Sequence, residues 1–311
     1  MPVAALFSSH TPLKAFAEPH AGVREAIDRT TAELRQAVTA FAPDLVVAIG
    51  PDHFNGFFYR LMPAFCVGAA VESVGDWRTP AGPLPTDADL AERCARFLHL
   101  RDLDAALSYR MDVDHGITQV LDEVIGWDSL PAVLPLFVNC AAPPLPPVRR
   151  VRALGKALGL FAADLGRRVL LVASGGLSHD PPIPALATAE GTVRERLIDG
   201  GRLGADARAA RQQRVLDDAG AQVTGSSPQR PLNRDWDRAF MRAVETDALD
   251  DFTKVDDATI TRDAGCGGHE VRTWIAAAEA ARSAGVTEFR ERYYRAIPEW
   301  VAGYGVMTAG L

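Results

Sequence analysis

Residues 45–53 read LVVAIGPDH, and this stretch indicates the fold of the chain. Its apolar, mostly β-branched run ends in a Gly-Pro turn that is followed directly by Asp52 and His53. A buried strand whose exit turn carries a histidine is typical of a ligand site at the carboxyl end of a strand. The segment therefore predicts a strand that leads into a polar site.

The same pattern, a strand followed by a histidine, occurs twice more. Residues 3–7 (VAALF) lead to His10, and residues 169–173 (VLLVA) lead to His179. Between the first two strands, residues 22–41 place apolar side chains on one helical stripe. Strand, helix and strand in this order predict a parallel βαβ unit with a right-handed crossover.

The remaining periodicities complete an α/β pattern. Further strands are predicted within 57–71 and at 107–111, 133–138 and 289–294, and helices at 87–98, 148–165, 188–221, 235–246 and 269–283. We expect a single domain over residues 1–311, with a central, mostly parallel or mixed sheet flanked by helices. The active site is expected at the carboxyl ends of the strands.

The composition excludes several classes of protein. The chain has 311 residues, enough for a large core, and its net charge of -7 disfavours nucleic acid or an anionic membrane as partner. The four cysteines are widely spaced and form no CxxC pair, which predicts reduced thiols. No signal-peptide pattern is present, and no apolar run approaches about 18 residues. We therefore expect a cytoplasmic protein.

Four histidines are candidates for one shared site. His10, His53 and His179 follow apolar strands, and His115 lies in an Asp-His-Gly turn after a weaker strand. Each one alone is most often a hydrogen-bonded turn residue. Because the carboxyl ends of parallel strands meet at one edge of a sheet, their common placement favours a shared site.

A carboxylate candidate lies in residues 267–271, GGHEV. Two histidines and one carboxylate leave adjacent metal positions open and are typical of non-haem Fe(II) oxygenases. Glu270 lies one turn before Trp274 and borders the predicted buried face, whereas His269 is expected to face solvent. The helix dipole also favours a carboxylate in the first turn, although Glu270 as a plain helix-start residue is the alternative. Asp52 is interpreted as a turn residue or as a partner of a metal ligand.

The segment 174–179, SGGLSH, allows two other interpretations. Gly175 and Gly176 either bring backbone amides close to an anion or form a tight turn that allows close packing. Ser174 and Ser178 beside a histidine make a serine hydrolase an alternative. The Gly-x-Ser-x-Gly motif of many such enzymes is absent, which disfavours it.

Six segments occur together in a familiar order and at familiar spacings. They are FSSHTP (7–12), PDHFNGFF (51–58), DVDHG (112–116), SGGLSH (174–179), HEVRTW (269–274) and RYYRAIPEW (292–300). Together they closely resemble the type III extradiol ring-cleavage dioxygenases related to the catalytic subunit of protocatechuate 4,5-dioxygenase. The resemblance covers nearly the whole chain. The Asp-His-Gly and Gly-Gly-Leu-Ser-His motifs mark the family, and the Tyr-Tyr-Arg-Ala-Ile-Pro-Glu-Trp tail indicates a narrower group within it.

The resemblance implies a role for each candidate residue. His10, His53 and Glu270 are the implied iron ligands, and His115 and His179 are the implied acid–base pair around a bound catechol. One departure lies at residues 117–121, ITQVL, where close relatives tend to have an aromatic residue and Gln-Pro-Leu. The departure touches no implied ligand, so it bears on substrate preference more than on reaction type.

The resemblance also implies the reaction. We expect Fe(II)-dependent extradiol cleavage of a 3-substituted catechol by O2, with 3-(2,3-dihydroxyphenyl)propionate and 2,3-dihydroxycinnamate as the expected substrates and a homo-oligomer as the expected assembly. A carboxylated side chain needs a cationic partner, and Arg292 and Arg295 are two candidates among several arginines. Two alternatives are a Zn²⁺-dependent hydrolase that uses the same cluster and a non-catalytic binding protein on the same fold. The presence of all five implied residues disfavours the latter.

Overall fold

The computed structural model describes residues 2–201 and 203–311, and these form eleven strands and nine α-helices. The strands are β1 (Val3–Ser8), β2 (Leu45–Gly50), β3 (Phe65–Gly68), β4 (Val71–Val74), β5 (Ala81–Pro83), β6 (Ala106–Ser108), β7 (Met111–Val113), β8 (Ala132–Val138), β9 (Val169–Ser174), β10 (Phe289–Ile297) and β11 (Ala302–Ala309). The helices are α1 (Val23–Phe41), α2 (Ala88–His99), α3 (His115–Val124), α4 (Val148–Asp164), α5 (Gly191–Asp199), α6 (Ala205–Thr224), α7 (Arg234–Thr246), α8 (Asp257–Ala264) and α9 (Val271–Ser283).

Eight of the strands form one mixed sheet in the order β10-β11-β1-β9-β2-β8-β3-β6. The four central strands β1, β9, β2 and β8 are parallel. β11 pairs antiparallel with β1, and β3 pairs antiparallel with β8. A second sheet contains β5, β4 and β7. The predicted α/β class, with a mostly parallel or mixed sheet flanked by helices, is therefore confirmed.

Side-chain alternation along the central strands divides the core in two. Leu45, Val47 and Ile49 of β2 pack in one cluster with α2, α4, α7 and α9, whereas Val46 and Ala48 pack in the other with α1 and α3. Successive side chains of a strand point to opposite faces, so helices cover both faces of the sheet. Within the described residues, no helix is both long and apolar enough to cross a membrane.

Three predicted elements differ from the structure. The predicted strand at 107–111 is divided between β6 and β7, because a bend at residues 109–110 sends the chain from one sheet into the other. Within 57–71, only residues 65–68 and the first residue of β4 are in strands. The predicted helical segment 188–221 is interrupted between α5 and α6, where Gly200 has a φ of 79° that a right-handed helix does not permit.

Candidate active site

Three neighbouring parallel strands bring three of the candidate histidines to one edge of the sheet. β9 lies between β1 and β2, and Ser8 is in register with Ser174. His10, His53 and His179 follow the carboxyl ends of these strands. His10 Nδ1 lies 3.0 Å from Ser174 Oγ, which fixes its ring against the end of β9. The convergence predicted from the strand pattern is therefore present.

Glu270 lies among these histidines. Its Oε1 is 3.1 Å from His53 Nε2 and 3.4 Å from His179 Nε2, and its Oε2 is 3.6 Å from His10 Nε2. The backbone N–H of Gly176 donates to Oε2 at 2.7 Å. Because Glu270 is buried, these contacts replace the water that an ionised carboxylate would otherwise bind.

The neighbouring His269 is also buried, so the prediction that it faces solvent is wrong. Its Nδ1 is 2.7 Å from Arg272 Nη1, and its Nε2 is 2.8 Å from Thr261 Oγ1 of α8. The helix that follows has no solvent-facing side over residues 271–281, all of which are buried. Glu270 and His269 are therefore both buried, and they differ in the groups that their side chains contact.

Asp114 fixes the orientation of His53. It caps the N-terminus of α3 by accepting the Gly116 N–H at 2.8 Å, and it accepts the His53 backbone N–H at 2.8 Å. His53 Nδ1 lies 3.2 Å from Asp114 Oδ2. A proton on Nδ1 therefore leaves Nε2 with its lone pair directed towards Glu270, as a metal ligand requires.

Asp52, the other acid next to His53, holds the turn. Its carboxylate accepts the backbone N–H groups of Asn55, Gly56 and Phe57 at 2.9 to 3.1 Å. These bonds consume its acceptors, which matches the interpretation of Asp52 as a turn residue. They also explain why the chain after His53 is a loop and not the strand predicted to begin at Phe57.

His115 is held by a carboxylate that the sequence did not reveal. Its Nδ1 is 2.6 Å from Asp76 Oδ2, and its backbone N–H donates to Asp76 Oδ1 at 2.9 Å. The ring stacks on His53 with a centroid distance of 4.3 Å and an interplanar angle of 16°. Asp76 is 39 positions before His115, in a loop without periodicity, so no local pattern signals the pair.

His179 lies in a position that only glycine neighbours permit. Its Nδ1 lies 3.0 Å from the carbonyl oxygen of Leu177. A Cβ on Gly176 would lie 2.1 Å from its Cε1, and a Cβ on Gly267 would lie 2.1 Å from its Nε2. Gly176 thus satisfies both sequence interpretations, because its amide binds a carboxylate and its missing side chain allows close packing.

A buried aspartate also holds the loop that carries His179. Asp237 of α7 accepts the Ser178 N–H at 2.7 Å, the Ser178 hydroxyl at 2.9 Å and the Tyr294 hydroxyl at 2.7 Å. Both serines are buried, and neither lines the pocket that the histidines form. Neither hydroxyl is therefore accessible as the nucleophile of the serine hydrolase considered above.

The histidines around Glu270 affect the protonation of its carboxylate and of one another. Burial raises the pKa of Glu270, but the charges of His179 and His10 outweigh it and hold that pKa well below its usual range. Burial lowers the pKa of His10 to about 3, against the charge of Glu270. For His53, burial lowers the pKa, but the charge of Asp114 outweighs it and the pKa is raised. Glu270 and His10 therefore already have the ionised carboxylate and the neutral imidazole that a metal cation requires, whereas His53 would release a proton when the metal binds.

Three sets of three residues here could hold a metal ion. His10, His53 and Glu270 are linked by the contacts above. The other two sets, in each of which the ligand atoms lie within 4.8 Å of one another, are His10, His53 and His115, and Asp76, Asp114 and His115. Asp76 and Asp114 already hold His115 and His53, and a set of three imidazoles would bring no negative charge to the metal. Glu270 supplies the negative charge that stabilises a divalent cation.

The four histidines line one pocket with mostly apolar walls. The walls are formed by Trp77, Pro181, Ile183, Val215 and Trp300. Its cationic side chain is Arg211 of α6, which donates from Nη2 to the backbone oxygen of His53 at 2.6 Å.

The arginines named from the sequence do not line this pocket. Arg292 pairs with Glu33 at the surface, at 3.4 Å, and Arg295 is exposed on β10. The segment 117–121, which departs from the family pattern, is buried inside α3. None of these described residues lines the pocket. The departure therefore has no direct contact with a bound ring.

Comparison with known proteins agrees with this geometry. A family model described as "Catalytic LigB subunit of aromatic ring-opening dioxygenase" matches residues 4–306. A Mycolicibacterium gilvum protein named 2,3-dihydroxyphenylpropionate/2,3-dihydroxicinnamic acid 1,2-dioxygenase is 47% identical over 301 residues, which are 97% of this chain and 96% of that protein. A protein of the same name from Paraburkholderia xenovorans is 48% identical over 312 residues, or 99% and 98% of the two chains.

The fold itself has a distant counterpart among solved structures. The crystal structure of an uncharacterized protein from Escherichia coli K12 matches with a TM-score of 0.54 and 15% sequence identity. The match covers 98% of this chain and 99% of the other. At this identity the likeness concerns the fold alone.

Proposed function

The chain belongs to the family of catalytic LigB subunits of aromatic ring-opening dioxygenases, and on that premise we propose that it is an Fe(II)-dependent extradiol dioxygenase. The proposed substrates are those in the names of its relatives, 2,3-dihydroxyphenylpropionate and 2,3-dihydroxycinnamic acid. In those names the cleaved bond joins ring carbons 1 and 2 and the hydroxyls are on carbons 2 and 3. The ring therefore opens beside the diol, and both atoms of O2 enter the product.

The observation that carries the proposal is the placement of Glu270 against two histidines. His53 Nε2 and His10 Nε2 approach its two oxygens at 3.1 and 3.6 Å. Two imidazoles and one carboxylate on one side of a cation, with the other side open, form the ligand set of non-haem Fe(II) oxygenases. Bound there, iron would hold the catechol oxygens beside O2 and lower the pKa of the hydroxyls.

The hydrogen bonds of the remaining histidines support separate proton-transfer roles. His179 Nδ1 faces a carbonyl oxygen, so it carries a proton, and its Nε2, 3.4 Å from Glu270 Oε1, would accept one from a catechol hydroxyl once Glu270 binds the metal. His115 Nδ1 lies 2.6 Å from the carboxylate of Asp76, which orients the ring at the pocket wall, where it would donate a proton during ring opening. The apolar walls around both rings keep water away from the reacting carbons.

The deciding experiment is anaerobic Fe(II) reconstitution followed by O2 uptake on a panel of 3-substituted catechols. Wild-type protein should consume O2 and produce a yellow ring-opened product. Zn²⁺-loaded protein should do neither, which separates this function from a metal-dependent hydrolase. Absence of O2 uptake with every catechol would refute the proposal.

Variants test the individual roles. His10→Ala or Glu270→Ala should lose bound iron, whereas His179→Ala should retain iron and lose turnover. His20→Ala is the matched control, because His20 is exposed and lies outside the pocket. It should retain both iron and activity. Full O2 uptake by the Glu270→Ala protein under iron-limited conditions would show that Glu270 is not a ligand.

A further inference from the structure

Two half-buried arginines lie beside the histidine pocket, on helices that the metal cluster does not use. Arg211 of α6 lines that pocket, and it also lines an adjoining cavity of about 400 Å³. Arg196 of α5 lines the second cavity, together with the exposed Arg214 and apolar side chains that include Phe54 and Leu197. Arg211 therefore forms part of the wall of both spaces.

Neither guanidinium has a carboxylate partner. Arg211 donates from Nη2 to the His53 oxygen at 2.6 Å, and Arg196 donates from Nη2 to the Phe54 oxygen at 3.1 Å. Arg196 Nε is buried and has no hydrogen-bond partner. Among the described residues, no ion pair includes either arginine, although the buried Arg272 has one.

The nearest negative charges are occupied by other groups. Asp52, Asp76 and Asp114 all act on Arg211 through their charge, but each binds the backbone or histidine groups described above. Burial lowers the pKa of Arg196, and the charge of Arg211 lowers it further. Two half-buried cations that repel each other and have spare donors favour an anion between them.

We propose that Arg211 and Arg196 form the subsite for the carboxylate on the substrate's three-carbon side chain. The proposal rests on the proposed function, because the substrates in the relatives' names carry such a group next to the catechol. The catechol would lie among the histidines, and its side chain would point past Arg211 towards Arg196. Arginine suits this task, since its planar donors match a carboxylate.

A binding experiment tests the subsite without metal, O2 or turnover. Metal-free protein is titrated with 3-phenylpropionate and with the neutral alcohol 3-phenylpropan-1-ol, which has the same length. Wild type should bind the carboxylate at least about 10-fold more tightly, and Arg211→Met or Arg196→Met should abolish that preference. Arg211→Lys should retain part of it, because the charge is kept and the paired donors are lost.

The kinetic experiment uses the same comparison. In the iron-loaded enzyme, Arg211→Met should lower kcat/KM for 3-(2,3-dihydroxyphenyl)propionate about 100-fold and that for 3-propylcatechol about threefold or less. Within each variant, the ratio of the two kcat/KM values is unaffected by a loss of folded protein or of iron, because such a loss reduces both values equally. Arg295→Met is the matched control, because it removes an equal charge from an exposed strand position, and its ratio should equal that of wild type.

The outcomes separate this inference from the function on which it rests. Activity of the wild type on both catechols with no preference for the carboxylate would overturn the subsite and leave ring cleavage intact. An equal loss on both substrates in Arg211→Met, with unchanged binding preference in the metal-free protein, would assign Arg211 to holding the His53 loop and would also overturn the subsite. Failure with every catechol would instead refute the proposed function.

Discussion

Replacing Gly176 by alanine should slow turnover strongly while the fold is retained. A Cβ at this position would lie 2.1 Å from Cε1 and 2.3 Å from Nδ1 of His179. The ring has little space in which to move away, because it also packs closely against Gly267, where a Cβ would lie 2.1 Å from its Nε2. The backbone N–H of Gly176 is tied to Glu270, so the imidazole is the part that moves.

The size of the effect follows from the overlap. Ordinary van der Waals contact begins near 3.4 Å, so the imidazole has to move by about 1.3 Å. A displacement of about 1 Å in a group that transfers protons costs about 100-fold in rate. We therefore expect kcat to fall about 100-fold in Gly176→Ala, and iron content to change by less than about twofold.

The assay is O2 uptake with a saturating catechol, alongside metal analysis of the same sample. Gly220→Ala is the control, because a Cβ there meets no atom within 4 Å. This control should keep full activity and gain about 0.5–1 kcal/mol in free energy of unfolding from helix propensity. Wild-type kcat in Gly176→Ala would refute the assignment of His179 to proton transfer, or its confinement by the glycines.

Three further perturbations act on the supports of the site. Asp76→Asn should lower kcat about 10- to 100-fold with iron content unchanged, as measured by O2 uptake and metal analysis, because His115 loses the carboxylate that orients its ring. Asp237→Ala should lower the free energy of unfolding by about 3 kcal/mol in urea titration, because three buried donors lose their acceptor. Removing metal with a chelator should lower Tm in wild type and in His20→Ala alike, but not in Glu270→Ala, where no metal is bound to remove.

Much of the site was predictable because strands and histidines follow simple rules. His10, His53 and His179 each come directly after an apolar strand, and parallel strands of one sheet end at the same edge. Local sequence therefore carries enough information to place these three residues together. Glu270 follows no strand, so the strand pattern could not predict it. Helical phase favoured it over His269, and the family resemblance implied it as a metal ligand.

The supporting carboxylates were not predictable in this way. Asp76 and Asp237 reach partners 39 and 59 positions away, and neither has a neighbouring pattern that marks it. The error at His269 has a related cause. A helix enclosed on all sides has no polar face, so periodicity cannot show which residues meet solvent.

The sequence did not identify Arg211 as a pocket residue, because the composition of its helix suggests that the whole helix is exposed. α6 is rich in charged residues and reads as a solvent-exposed helix. Arg211 nevertheless lines the histidine pocket, whereas Arg214, one turn further along the helix, is exposed and lines only the second cavity. The sequence alone therefore could not show which arginine lies near the histidines.

The antiparallel pairing of β11 with β1 constrains the order in which the molecule is completed. Ala5 pairs with Ala309, so the strand that precedes His10 has one of its two neighbours only after residue 309 has left the ribosome. Glu270 also emerges more than 200 positions after His10 and His53. A growing chain would therefore expose the imidazoles without their carboxylate, and the proposed metal site would be complete only after Glu270 has emerged.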